Sequence, residues 1–298
     1  MYHIPVLLQE SVAGLNINPD GIYVDATFGG GGHSKEILKH LSNKGKLLAI
    51  DQDIDAQKNI IKDKKFHLIL GNFRYLKNYL DYYKINEIDG ILADLGISSH
   101  QIDKKERGFS FRLGGIIDMR MNNSMKLTAA EILNTYEYEK IYNIFKKYCD
   151  ILNPEKLTTK ILDYRNEKKI YDINEFIELI TPLAPKFNEF KYFAQVFQAL
   201  RIAVNDEMTA LEDFLNTIPK ILKQGGRLSI ISYHSLEDSL VKNLIKFGNT
   251  VNVDEINLFG SKPKLFKSIN KKLIIPDDKE INKNSRSKSA KLRIAERI

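Results

Sequence analysis

Val24-Asp25-Ala26-Thr27-Phe28-Gly29-Gly30-Gly31-Gly32-His33-Ser34 decides how this chain reads. The apolar run Gly21-Ile22-Tyr23-Val24 leads into it, and Ile37, Leu38 and Leu41 leave it at helical spacing. The pattern is strand, glycine turn, helix. Successive glycines permit a tight turn with positive φ and let backbone come close to a ligand. The helix that opens near Ser34 aims unpaired N–H groups at the same place. A second strand, Lys46-Leu47-Leu48-Ala49-Ile50, ends in Asp51, about 20 residues further on, where an acid takes ribose hydroxyls in nucleotide-binding βαβ units.

The chemistry of the turn narrows the ligand. No Gly-Lys-Ser/Thr follows, so it is not a phosphate loop. Asp25, at the strand end before the glycines, repels phosphate and suits a ligand with positive charge. S-adenosylmethionine, with its ammonium and sulfonium, fits better than a dinucleotide. A nicotinamide-dependent oxidoreductase on the same βαβ unit is the rival enzyme, separable by binding of S-adenosylhomocysteine against NAD.

Outward from this unit the alternation continues. Phe66-His67-Leu68-Ile69-Leu70 reads as a third strand before Phe73, and Ile88 to Ala93 as a fourth, ending in Asp94. Helices are expected between them, through Ala56 and Ile60-Ile61 and over Leu76–Tyr83, giving an α/β fold with a parallel sheet and right-handed crossovers. Ligand groups then collect at the strand ends: the glycines, Asp51, Phe73 and Asp94. Val6-Leu7-Leu8 and Val12 are expected to lie against the first strand.

The alternation stops after Asp94. Residues 102–125 are loop-like and carry Arg107-Gly108-Phe109-Ser110-Phe111-Arg112, aromatics interleaved with basic residues. Helical signals follow with no strand between them: a capping box at Thr128 and Glu131, Asn153-Pro154 opening a second helix, and Asp172 capping a third. This predicts an inserted helical domain over 106–190, leaving 1–105 and 191–298 as the core. One long helix is expected from Phe193 to Leu215. Gly225 to Tyr233 reads as a turn and strand with His234 at its end, residues 249–289 as an extended excursion, and Ala290 to Ala295 as a closing strand.

The bulk numbers set limits. The 298 residues are 43% hydrophobic and 28% charged, with 45 Lys+Arg against 38 Asp+Glu, values of a globular chain of one or two domains. The net charge of +7 permits an anionic macromolecular partner. A single cysteine, Cys149, excludes an internal disulfide and fits a reducing compartment. With no leader-like start and no apolar run of membrane-spanning length, a cytoplasmic location without membrane association is expected. No His/Cys cluster at ligand spacing is present, so no metal is expected.

Several blocks together resemble the bacterial small-subunit ribosomal RNA cytosine-N4 methyltransferases. They are His3 to Leu8, Gly31-Gly32-His33-Ser34, Asp51-Gln52-Asp53, Asp89 to Ser99, Arg107 to Phe111, Asp118-Met119-Arg120-Met121, Phe197 to Asn205, His234 to Asp238 and Ser289 to Arg297. The likeness runs over nearly the whole chain. It implies a class I methyltransferase fold with an antiparallel closing strand and a helical insertion that engages RNA. It also implies S-adenosylmethionine as methyl donor and the N4 of a decoding-region cytidine in small-subunit ribosomal RNA as acceptor. Carried over residue by residue, cofactor contacts fall on Gly31, Gly32, His33, Asp51, Phe73, Asp94 and Gln101. The chain departs from the family pattern at His100, at Gly114-Gly115-Ile116-Ile117, and at Ala194-Gln195-Val196, where a basic triplet is usual.

Methyl transfer to an amine gives roles to the rest. The cytosine amino lone pair is delocalised, so a hydrogen-bond acceptor beside it helps localise the pair and later takes a proton. Asp94 and His234 are the catalytic candidates; holding the cofactor, for Asp94, and capping the next helix, for His234, are the plainer alternatives. The base has to be unstacked, and Phe109, Phe111 and Tyr233 are candidate pocket walls unless they are ordinary packing. Arg107, Arg112, Arg120, Arg201 and the lysines of 262–293 are candidate phosphate contacts. A catalytically idle RNA-binding factor on the same fold is the alternative from another class.

Overall fold

The computed structural model describes residues 5–251, 264–270 and 272–298. His3 and Ile4, and the stretch 252–263 with Lys262, lie outside the described residues, as does Lys271. The chain divides into two compact units, Met1–Gly96 with Met208–Ile298, and Ile97–Glu207.

The first unit is built on seven strands: β1 (Ile22–Asp25), β2 (Lys46–Asp51), β3 (Phe66–Leu70), β4 (Ile88–Asp94), β5 (Leu222–Ser232), β6 (Phe266–Ser268) and β7 (Lys291–Arg297). Their order is β3-β2-β1-β4-β5-β7-β6. The first five are parallel, and β7 runs antiparallel to both β5 and β6. This is the class I methyltransferase sheet that the resemblance implied. The central strands β1, β2, β4 and β5 are buried along most of their length, with Val24, Leu47, Leu48, Ile91, Leu92 and Ile230 almost without solvent contact, as expected where both faces are covered. At the edges, β3 and β6 are more open.

Register places the chemistry. Asp25 pairs with Ala49 on one side and Leu92 on the other, so Asp51 and Asp94 each lie two residues further along the neighbouring strands. A step of two keeps the same face. The three carboxylates therefore belong to one face at the strands' carboxyl ends. Tyr233 joins them, because Asp94 pairs with Ile231.

Several expectations are corrected. The segment after β2 is a 3₁₀ turn, Ile54–Asn59, rather than an α-helix through Ile61. Asp53 caps it through Asp55 N–H at 3.1 Å, and the Asn59 amide is spent on the Gly29 carbonyl at 2.9 Å. Val6 and Leu7 pack with Ile231, Leu292 and Ile294 instead of β1, while Leu8 and Val12 do pack in the cluster that holds Tyr23. The expected excursion contains β6, a helix Asp278–Lys283 and a 3₁₀ turn Ser285–Ser289. The expected long helix is two, Glu189–Asn205 and Glu207–Ile221, broken at Asp206 with φ 48°.

The second unit is helical, with helices Ala129–Thr135, Tyr138–Tyr148, Pro154–Glu167, Ile173–Ile180 and Glu189–Asn205. The capping box at Thr128, Pro154 at the first helical position and the Asp172 cap are those the sequence predicts; a further capping box at Ser98 and Gln101 is not. Its boundaries, 97 and 207, are wider than 106–190. The reason is the core: Phe193, Val196, Phe197 and Leu200 pack with Ile132, Phe145, Ile161 and Phe176, so the helix Glu189–Asn205 belongs here. No helix among the described residues is long and apolar enough to cross a membrane.

Candidate active site

The glycine turn is held from below by Asp25. This carboxylate has no solvent exposure, and its two oxygens accept Ser34 Oγ–H at 2.6 Å and Thr27 N–H at 3.1 Å. Burial pushes its carboxyl up, against the His33, Ser34 and Thr27 interactions that pull the other way. Gly29 and Gly31 take φ of 49° and 74°, conformations costly for residues with a Cβ. Gly31 is the N-cap of the helix Gly32–His40. A Cβ on Gly32 would run into the Pro5 ring. The His33 ring is buried and donates from Nε2 to the Val6 carbonyl at 3.1 Å, so the side chain ties down the N-terminal segment and leaves only its backbone to the turn.

Asp51 braces the turn from β2. Its carboxylate accepts Gly29 N–H at 2.7 Å and Asp53 N–H at 2.8 Å. A carboxylate has about four acceptor positions, so two backbone donors leave capacity for ribose hydroxyls. Burial pushes the Asp51 carboxyl up to about 6, with the Asp53 and Gly29 N–H groups opposing and the Asp53 and Asp25 charges adding to the rise. Phe73 opens the 3₁₀ turn after β3, its ring 5.0 Å from that of Phe214. The apolar face of Phe214 thus fixes the ring at the third strand's end.

Asp94 is clamped from two sides. Its N–H donates to Thr27 Oγ1 at 2.6 Å, and Tyr233 O–H donates to its Oδ1 at 2.8 Å. Burial, then the Asp94 charge, pushes the Tyr233 phenol far above its ordinary range, so it remains a donor at any working pH. Tyr233 N–H in turn donates to Glu237 at 2.8 Å. A continuous chain of bonds thus runs from Ser34 through Asp25, Thr27 and Asp94 to Tyr233. Sequence reasoning did not assign Thr27 or the phenol of Tyr233. Thr27 carried a signal, standing two residues after an acid in an Asx-turn position; Tyr233 needed the β4–β5 register.

Gly31, Gly32, His33, Asp51, Phe73 and Asp94 are therefore gathered at one edge of the first unit. Gln101 is in the second unit, where it completes a capping box with Ser98: its Oε1 accepts Ser98 N–H at 3.0 Å and its N–H donates to Ser98 Oγ at 3.2 Å. His234 is the N-cap of the helix Ser235–Phe247, its Nδ1 accepting Glu237 N–H at 3.4 Å.

Three of the four arginines singled out from the sequence face other parts of their own unit. Arg107 is 4% exposed and donates to the Arg120 and Met121 carbonyls at 3.0 and 2.9 Å. Arg120 forms a two-point pair with Asp118 at 2.9 and 2.6 Å, and Arg201 does the same with Glu207 at 2.8 Å. Phe109 is in the core. Arg112 differs: it is exposed, stacked 5.7 Å from the centre of Phe111 and 5.6 Å from that of Phe190.

The donor set at the strand ends is made of carboxylates, a phenol and backbone N–H groups, with no lysine or arginine from Val24 to Ser34. It fits a nucleoside with a cationic tail and does not fit a pyrophosphate. Comparison with known proteins agrees. The chain is 54% identical over 296 residues to ribosomal RNA small subunit methyltransferase H of Bacteroides thetaiotaomicron, covering 99% of this chain and 97% of the relative. It is 54% identical over 300 residues to the protein of the same name from Cytophaga hutchinsonii, covering all of both. A solved rRNA methylase from Streptococcus thermophilus overlaps 99% of each chain with a TM-score of 0.40 and 15% identity, a likeness too slight to bear on the site. The family model described as the MraW methylase family matches residues 1–298, and with relatives this close over the full length, the chain belongs to that family.

Proposed function

We propose that this methylase transfers a methyl group from S-adenosylmethionine to the exocyclic N4 of a cytidine in small-subunit ribosomal RNA. The observation that carries the reading is the row of acids on one sheet face, with Asp94 held between Thr27 and Tyr233 at the edge where an acceptor arrives. The names of the close relatives support the substrate class.

Gly31, Gly32 and the backbone of His33 would hold the donor's amino-acid tail, Asp51 its ribose, and Phe73 its adenine. When bound, the donor supplies an electrophilic methyl carbon. The chain's own task is the amine. Asp94 accepts a hydrogen bond from the N4 amino group, which localises the nitrogen lone pair and lines it up with the carbon. As the N–C bond forms and the C–S bond breaks, N4 sheds a proton, and Asp94 is the acceptor at hand. Tyr233, donating to Oδ1, fixes the carboxylate's orientation. The unit spanning 97–207 engages RNA, with the exposed Arg112 and Phe190 as its stacking pair and the partly buried Phe111 behind them. His234, as a helix cap, supports the strand end and does not touch the base.

The test supplies labelled methyl donor with naked small-subunit RNA, small subunits and whole ribosomes, followed by nucleoside analysis. N4-methylcytidine is expected. Label on C5, or cofactor binding with no transfer to any of the three, overturns the reading; the second outcome is that of an idle RNA-binding factor.

A further inference from the structure

A concavity lies in the first unit, beyond the end of β5. It has a volume of about 310 Å³ and is lined by Tyr233, His234, Ser235, Pro276, Lys288 and Lys291, among others. This is the lower end of the size of ligand pockets and suits one nucleotide. One part of the lining is the strand end whose tyrosine bonds Asp94; the chain leading into β7, whose Lys291 pairs with Ser232, walls it from the neighbouring strand.

The charge of that wall is one-sided. From Ile281 to Ala295 there is no acidic residue, while Lys283, Arg286, Lys288, Lys291 and Arg293 fall within it. Arg293 is consumed by Asp238, at 2.7 and 3.0 Å. Lys288 and Lys291 make no direct ion pair among the described residues, although, against burial and behind Arg293, the Lys291 charge helps hold the Asp238 carboxyl below its ordinary value. Of the acids near the lining, Glu237 accepts Tyr233 N–H and Glu280 accepts Leu7 N–H, both at 2.8 Å, while Asp277 caps its helix through Glu280 N–H at 2.7 Å and, with Asp278, stays exposed beside Pro276.

The wall is also preorganised. Ser287 is fully buried and its hydroxyl donates to the Asn284 carbonyl at 2.8 Å; Ala290 is buried and its N–H donates to the Ser287 carbonyl at 2.8 Å. Lys288 thus projects from a pinned turn, and Lys291 opens a paired strand. Two lysines on fixed backbone that line a nucleotide-sized cleft together with Tyr233 are suited to a phosphodiester and not to a neutral metabolite.

We propose that this cleft is a subsite for the sugar-phosphate backbone of a nucleotide flanking the target, with Lys288 and Lys291 each neutralising one phosphate of single-stranded RNA. It rests on the methyl-transfer reading for its location but not for its test. Electrostatic contacts to single strands contribute about 0.7 per phosphate to the slope of log K against log salt.

The experiment compares wild type with the double variant Lys288→Gln/Lys291→Gln, and with Lys288→Arg/Lys291→Arg, for binding of a cytidine-containing single-stranded RNA 12-mer across a salt series. The Gln pair should weaken binding about tenfold or more near physiological salt and lower the slope by about 1.4. The Arg pair should restore both. S-adenosylhomocysteine affinity, measured on all three proteins, should stay constant, because neither lysine belongs to the cofactor edge. No binding of the 12-mer by wild type, or an unchanged slope in the Gln pair, overturns the subsite. Failure of wild type to take up S-adenosylhomocysteine overturns the methyl-transfer reading instead, whatever the RNA result.

Discussion

Acidifying the solution should release the nucleoside by protonating Asp51, and the size of the effect follows from its surroundings. Burial holds this carboxyl at about 6, whereas ribose hydroxyls need an acceptor that is ionised. The ionised fraction is about 0.9 at pH 7 and about 0.1 at pH 5, so apparent affinity for S-adenosylhomocysteine should weaken about tenfold between them, or about 1.4 kcal/mol. Because the bound hydroxyls favour the ionised form, binding near pH 6 should expel a proton. Calorimetry in two buffers of different ionisation enthalpy reads that proton directly. Asp51→Asn should flatten the profile from pH 5 to 8. It should also weaken binding about 10- to 100-fold at pH 7, since the amide nitrogen turns a donor toward either the Gly29 or the Asp53 N–H and a clash of donors costs about 1–3 kcal/mol. The same group affects stability with a fixed sign. Its folded value lies above the ordinary 3.8, so the folded state holds the proton more tightly. Asp51 therefore makes stability fall as pH rises from about 4 to about 6, and contributes no further slope above that. A wild-type affinity equal at pH 5 and pH 7, on protein shown to be folded at both, would refute the assignment of Asp51 to the ribose.

Three further outcomes are expected. Tyr233→Phe removes the donor on Asp94 Oδ1; a hydrogen bond to a charged group is worth about 1.5–3 kcal/mol, so single-turnover methylation should slow about 10- to 100-fold with cofactor affinity unchanged, and an unchanged rate removes Tyr233 from a positioning role. Gly32→Ala drives a methyl group into the Pro5 ring and should destabilise the protein by about 1–3 kcal/mol, read by denaturant melts; wild-type stability would mean that the N-terminal segment moves aside at no cost. Arg107→Ala strands the Arg120 and Met121 carbonyls and should cost at least about 2 kcal/mol while leaving the salt dependence of RNA binding unaltered; a shallower salt slope in a stable variant would return Arg107 to the phosphate contacts.

Much of the site is legible in the amino-acid sequence because it is local. The glycines, Asp51, Phe73 and Asp94 each stand at the end of an apolar run, and alternation of strands and helices is enough to bring strand ends together. What escapes is pairing between distant segments. Asp94 and Tyr233 are 139 residues apart, and only the β4–β5 register puts them on one face. The break at Asp206 escapes for a different reason. The apolar stripe runs on through Val204, Met208 and Leu211, so periodicity gives no sign of a stop. The stop comes from Asn205, whose amide donates to the Met119 carbonyl at 2.7 Å and whose oxygen takes Met121 N–H at 2.7 Å. The arginines mislead because a basic residue beside an aromatic looks the same whether its head reaches solvent or a carbonyl. Two of them have their partners in view, Asp118 two residues before Arg120 and Glu207 six after Arg201; the carbonyls that take Arg107 lie 13 and 14 residues further on.

Clustering three carboxylates on one face has a cost that the proposed chemistry turns to use. Asp25 is made harder to ionise by Asp94, and Asp51 by Asp25, so each acid raises the energy of its neighbours. His33 eases the repulsion at Asp25; the other groups that offset it, Thr27 N–H, Ser34 O–H, Gly29 N–H and Tyr233 O–H, are neutral donors. A ligand with net positive charge relieves what they leave, and one that has given up its sulfonium charge relieves less. On the proposed function, the same acids that draw in the methyl donor therefore hold its spent form more weakly, and turnover gains a direction from charge alone. A pyrophosphate ligand would instead add to the repulsion at every one of these positions, which is why the acids at the strand ends discriminate between donors more sharply than the glycine turn does.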